Sequence, residues 1–102
     1  MTMLVLPAEL THVQANTCLG MLREAARGTQ AEAVLVDASA LVRFDSSALA
    51  VLLECRREAL HDGKGFGVRG LAPRLQALAQ LYGVAELLSE APLALESAES
   101  AA

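Results

Sequence analysis

Short and long apolar runs alternate along the chain, and their lengths and flanking residues predict the elements. Residues 3–6 form a short run that ends at Pro7, which predicts a strand. Residues 33–39 form an almost continuous apolar run that contains the β-branched residues Val34 and Val36. Such a run is typical of a strand covered on both faces. We therefore expect residues 33–39 to form the central strand.

Three helices and a further strand are predicted from the remaining pattern. The helices are residues 11–27, closed by Gly28; residues 45–61, stopped by Asp62 and Gly63; and residues 73–82, which begin at Pro73 and end before Gly83. The pattern of residues 66–69 predicts a short strand, and residues 84–88 are expected to pack against the core. This alternation predicts one α/β domain over residues 1–88, with helices packed on a mostly parallel or mixed sheet. Residues 89–102 predict a flexible acidic tail.

Composition and charge narrow the classes of partner. The formal net charge of -4 comes mostly from Glu90, Glu96 and Glu99, so residues 1–88 are close to neutral. The chain has no basic stripe with interleaved aromatic residues, which argues against binding to nucleic acid. Its longest apolar run, residues 48–53, is far shorter than the roughly 20 residues of a membrane span. We expect a cytoplasmic protein without direct membrane insertion, and the pattern leaves self-association open.

Several residues that often carry chemistry lack the context for it. The sequence GFGVRG, residues 65–70, formally matches a dinucleotide fingerprint, but it follows a helix and its middle residues form the strand. Cys18 and Cys55 have no metal-ligand spacing, and His12 and His61 read as surface residues. We expect no catalytic residue, metal or cofactor. A nucleotide-binding enzyme would be stabilised against heat by nucleotide, and we expect no such shift.

The segment Asp45-Ser46-Ser47, directly before a long apolar run, is the main candidate site. Aspartate and serine are preferred helix caps, because they accept hydrogen bonds from free N–H groups of the first turn. Capping explains one of these residues but not two adjacent hydroxyls followed by the small Ala48. The helix start is therefore predicted to be accessible.

The helix that follows is apolar over about half of its circumference, which exceeds the roughly 100° stripe that one sheet covers. One stripe comprises Ala48, Val51, Leu52, Cys55 and Ala59, and the other comprises Leu49, Leu53 and Leu60. Two interpretations remain open. Neighbouring helices bury the surplus, or another protein docks there with Ser46 at the edge and a polar rim of Arg56, Arg57 and Glu58.

The sequence VLVDASALVRFDSSALAVLLE, residues 34–54, resembles the core signature of STAS domains. Asp37 and Ser39 match its first element, a strand that ends in Asp-x-Ser. The residues that match its second element, the start of a helix, are Asp45, Ser46, Ser47 and Leu49. The resemblance extends from about Leu4 to Leu88. It departs in three places: only one strand is evident before the first helix, Ala48 replaces the usual glycine, and Ser46 stands where threonine is common, which keeps the hydroxyl but loses a methyl group.

The resemblance implies a binding protein from one of two branches. In the STAS subunit of the bacterial Mla phospholipid transporter, which residues 73–88 resemble more, the position of Ser46 contacts the ABC ATPase subunit. This implies a non-catalytic subunit held at the inner membrane through that partner, which it contacts through Asp45, Ser46, Leu49, Leu53 and Arg56. The alternative branch, the anti-sigma factor antagonists, implies a regulatory protein that is switched by phosphorylation of Ser47.

Overall fold

A computed structural model describes residues 2–27 and 32–88, and these residues fold as alternating strands and helices. The elements in chain order are β1 (Thr2–Val5), β2 (Glu9–Leu10), α1 (Ala15–Arg27), β3 (Ala33–Asp37), β4 (Arg43–Phe44), α2 (Ser46–His61), β5 (Gly65–Arg69), α3 (Pro73–Leu81) and a short 3₁₀ helix (Ala85–Leu88). The α/β class is confirmed.

The strands form two separate sheets. The larger has the order β1-β3-β5 with β3 at its centre, and the smaller pairs β2 with β4. Every strand pairing within the described residues is parallel. Parallel strands need long crossover connections, and α1 and α2 lie in the connections between the strands of the larger sheet. The prediction of residues 33–39 as the central strand is confirmed, with its end at Asp37.

The helix boundaries follow from local chemistry. Asp45 caps α2, and Gly63 follows its end with a φ of +75°, which suits a residue without a side chain. Pro73 opens α3, as predicted. The helix predicted from residue 11 begins at Ala15. A turn precedes it, in which the N–H of Gln14 bonds to the carbonyl of Thr11 at 3.1 Å and the N–H of Thr11 bonds to Oε1 of Gln14 at 2.9 Å.

The core lies between one face of the larger sheet and the helices. Its largest fully buried side chains are Leu6, Leu10, Leu52, Leu75, Leu88, Val34, Val36 and Val68. Helix α2 contacts α1, β5, α3 and the 3₁₀ helix, so it is covered from several sides. Most of its apolar surplus is therefore buried within the domain, which favours the first of the two interpretations of that surface.

The structure adds two strands to the prediction and leaves part of the prediction outside the residues it describes. The two-residue strands β2 and β4 were not predicted, so two strands precede α1 where the sequence shows one. Gly28 and the tail of residues 89–102 fall outside the described residues. Among the helices of the described ranges, none has the length and apolar character needed to cross a membrane.

Candidate functional site

The candidate site lies where β3 and β5 end and α2 begins. In parallel sheets the carboxyl ends of the strands meet at one edge, which is the usual place for ligands and partners in open α/β folds. Asp37 ends β3 and pairs in register with Arg69, which ends β5. Asp45 follows β4 directly and precedes α2.

Asp45 holds the start of α2 through hydrogen bonds from two parts of the chain. Its Oδ1 accepts a hydrogen bond from the N–H of Ser47 at 2.8 Å, which is the predicted helix cap. Its Oδ2 accepts one from the N–H of His12 at 3.0 Å and lies 3.2 Å from Nδ1 of the same residue. These N–H groups, first that of His12 and then that of Ser47, lower the pKa of Asp45 from 3.8 to about 2. The carboxylate therefore joins the loop before α1 to the start of α2.

The outer side of α2 forms an exposed stripe at helical spacing, which we call the α2 stripe: Ser46, Ala50, Leu53 and Arg57. Ser46, Ala50 and Arg57 are exposed, and Leu53 is half-buried. Ala50 was not singled out from the sequence, although its small side chain next to Ser46 leaves room for close approach. The other exposed residues of α2 are Leu60, which is 45% exposed, and His61, both at the far end of the helix. The stripe is therefore the surface that α2 leaves open near its start.

Leu49 does not belong to this surface, which corrects the prediction that it fills an apolar recess of a partner. Its side chain is 2% exposed and lies in the core with Ala48 and Leu52. The sequence placed Leu49 and Leu53 on one stripe, but the elements packed around α2 enclose the first of them fully and the second only partly. Arg56 is half-buried beside the α2 stripe.

An ion-pair network connects the α2 stripe to α1. Arg57 bonds to Glu54, with Nε at 3.1 Å from Oε1. Arg23 of α1 donates to Glu58 at 2.5 Å and to Glu54 at 3.4 Å. The hydrogen bond from Arg57 lowers the pKa of Glu54, and Glu54 in turn raises the pKa of Arg57. The polar rim predicted from the sequence is therefore partly engaged within the domain.

Asp37 and Ser39 form a tight turn at the end of β3. Oδ1 of Asp37 accepts hydrogen bonds from the hydroxyl of Ser39 and from its N–H, the latter at 2.9 Å. These bonds, the hydroxyl first, lower the pKa of Asp37, and the charge of Arg69 adds to the effect. Gly70 packs on this turn with a φ of +72°, and a Cβ there would lie 2.9 Å from Cβ of Ser39. Asp37 and Ser39, the first motif element, thus fix the turn at the carboxyl end of β3.

A recess that the sequence did not indicate lies directly before α2. It has a volume of about 400 Å³ and is lined by Leu41, Val42, Phe44, Ala72, Pro73 and Arg74. Val42 is 70% exposed, and the guanidinium of Arg74 lies 5.1 Å from the centre of the Phe44 ring. The only signal in the sequence was two apolar residues, Val42 and Phe44, with the period of a strand.

The two thiols are buried on the helices. Cys18 of α1 and Cys55 of α2 are both free. Burial raises the pKa of both thiols, that of Cys55 to about 12. No group of three or more His, Cys, Asp or Glu side chains within the described ranges is placed to hold a metal ion.

Comparison with known families agrees with the motif and its geometry. A family model described as "Mlab, STAS domain" matches residues 2–89, which include both motif elements. The chain belongs to the STAS domain family. STAS domains are generally non-catalytic and mediate protein–protein interactions. A comparison with curated proteins gives no match.

Proposed function

We propose that this STAS domain is a non-catalytic subunit that docks on the ABC ATPase of a phospholipid transport system and supports it. Two facts support the proposal: the matching family model carries the Mlab description over residues 2–89, and the start of α2 presents an exposed surface. The α2 stripe is the observation that carries it. The protein is then held at the inner membrane through its partner.

Each residue of the stripe has a defined part in the proposed contact. The Ser46 hydroxyl donates or accepts a hydrogen bond at the rim, and Ala50 lets the partner approach closely. Leu53 supplies apolar area. Full burial of an exposed leucine is worth about 1.5 to 3 kcal/mol before association costs, and the half-buried Leu53 contributes part of this on docking. Asp45 fixes the helix end through His12, and Leu49 anchors α2 from beneath. Arg56 stands at the rim.

The test is a bulky charge at the first position of α2. Ser46→Arg is expected to abolish co-purification with the ATPase, because the long side chain occupies the space that the partner needs. His61→Arg places the same side chain at the exposed last residue of α2, about 22 Å along the helix axis. This control is expected to leave the complex intact. A folded Ser46→Arg protein that still binds the ATPase would contradict the docking edge.

A second candidate function rests on the position of Ser47. Its side chain is partly exposed in the first turn of α2, next to the Asp45 carboxylate. Phosphorylation would add about -1.5 to -2 charges at this helix start, where the helix dipole tolerates them, and would block an apolar partner, as in a regulatory switch. Mass spectrometry of the protein from its own cells separates the two functions. Stoichiometric phosphate on Ser47 supports the switch, and unmodified Ser47 with a bound ATPase supports the transporter subunit.

A further inference from the structure

We propose that the docking surface continues from Ser46 into the recess lined by Val42, Phe44 and Arg74, and that the partner fills it with an apolar side chain next to a carboxylate that pairs with Arg74. The inference rests on the proposed function and specifies which chemistry the ATPase segment brings. Phe44 directly precedes Asp45 in the chain, so the recess and the start of α2 adjoin.

The lining of the recess suits an apolar side chain. Five of its six residues are apolar, and Val42 among them is largely exposed to solvent. Phe44 packs against the core on one side, while its ring faces Arg74 on the other. An apolar group that enters the recess therefore covers Val42 and the part of Phe44 that is still exposed, and such burial is the main source of affinity in apolar contacts.

The carboxylates of Asp45, Asp37 and Glu9 all have partners other than Arg74. Asp45 accepts hydrogen bonds from His12 and Ser47, Asp37 accepts them from Ser39, and Glu9 lies 3.4 Å from Arg43. Arg74 lies over the Phe44 ring and forms no ion pair with any carboxylate in residues 2–27 and 32–88.

This arrangement selects an acidic partner segment. A partner that buried Arg74 without an acceptor would leave an uncompensated charge, which is costly. A carboxylate instead accepts two hydrogen bonds from the N–H groups of the planar guanidinium. Because the Phe44 ring already limits the orientation of that guanidinium, less freedom is lost on binding. The same argument disfavours a basic segment, since like charges across an interface are repulsive.

The experiment compares charge variants of Arg74 in binding to the purified ATPase. Arg74→Glu is expected to raise the Kd by about tenfold or more, and Arg74→Gln is expected to raise it by less. Arg27→Glu is the matched control, because it makes the same charge change at the exposed last residue of α1, which runs back from this edge of the sheet. The control is expected to bind like the wild type. The affinity of the wild type is also expected to fall more steeply with salt than that of Arg74→Gln.

A second variant tests the apolar part. Val42→Glu is expected to fold normally, because the Val42 side chain is exposed. It is expected to weaken binding, because it places a charged group where the partner brings its apolar side chain. If both Arg74→Glu and Val42→Glu bind like the wild type while Ser46→Arg does not, the recess is no part of the interface and the proposed function stands. If the wild type itself does not bind the ATPase, the proposed function fails first, and the inference fails with it.

Discussion

The Asp45 carboxylate makes one contact within its own helix start and another to a distant part of the chain. Its first oxygen caps α2, as aspartate does in many helices. Its second oxygen is occupied by His12, which lies 33 residues earlier in the chain. The candidate site therefore depends on a contact between two loops as well as on a helix start.

The His12–Asp45 contact makes part of the stability depend on acid pH. A carboxylate with a lowered pKa in the folded protein stabilises it above its ordinary pKa of 3.8, and this contribution is lost as the pH falls toward about 2. We expect Asp45→Asn to have a lower melting temperature than the wild type at neutral pH. The difference in melting temperature is expected to shrink as the pH falls from 3.8 toward about 2. Thermal unfolding at a series of pH values measures this.

His12→Ala is the control for this prediction. It removes the imidazole but keeps the backbone N–H bond to Asp45, which is the largest cause of the lowered pKa. The variant is expected to keep most of the acid dependence of the wild type. A difference between the wild type and Asp45→Asn that stays constant from neutral pH down to pH 2 would show that the charge of Asp45 adds nothing to stability.

Gly70 offers a second test at the residue scale. Gly70→Ala combines a strained positive φ with a contact of 2.9 Å to Cβ of Ser39, so we expect a loss of more than about 1 kcal/mol in the free energy of unfolding. Gly83→Ala is the matched control. Gly83 has a similar φ of +73°, but a Cβ there meets nothing within 4 Å. If denaturant unfolding showed the same loss of free energy for both variants, the turn at Ser39 would have moved to accommodate the new Cβ at no cost.

At the scale of the element, α2 divides its leucines between two tasks. Leu49 is in the core and Leu53 lies on the partly exposed α2 stripe. Leu49→Ala is expected to lower the free energy of unfolding by about 2 to 5 kcal/mol, as in other cores. Leu53→Ala is expected to lower it less and to weaken binding to the ATPase. Denaturant unfolding and affinity, measured on both variants, separate the two roles.

The outcome that would reverse this assignment is also specific. If Leu49→Ala were as stable as the wild type and only lost its partner, the side chain would have to face outward in the free protein. The assignment of Leu49 to the core would then be wrong, and the interpretation of the sequence, which placed both leucines at the partner, would be restored.

The elements differ in how far the sequence determines them. The start and end of α2 were predictable, because Asp45 and Gly63 act on neighbouring backbone groups. Strands β2 and β4 were not, since two residues are too few to show a period and their pairing joins positions far apart in the chain. The candidate site shows the same division. The serines were visible in the sequence, whereas the contacts of Asp45 with His12 and of Phe44 with Arg74 depend on the folded chain.

At the scale of the whole molecule, the contact between α1 and α2 encloses both thiols. Cys18 and Cys55 are buried there, and the raised pKa values leave few thiolates at neutral pH. We therefore expect a water-soluble thiol reagent to modify the native protein slowly and the unfolded protein fast. The rate of modification with and without denaturant measures this. Rapid labelling of native protein would mean that α1 separates from α2 often.

The parallel order of the strands also has a kinetic consequence. Each strand of the larger sheet meets its partner roughly thirty residues away, as in the pairs Thr2 with Val34 and Val34 with Phe66. With no hairpin among these pairings, a large loop must close before the first strand pair forms, and this slows folding relative to a hairpin-built sheet of equal size. A fragment that stops before β5 would leave the central strand open along one edge, so this sheet is complete only after the residues up to Arg69 have left the ribosome.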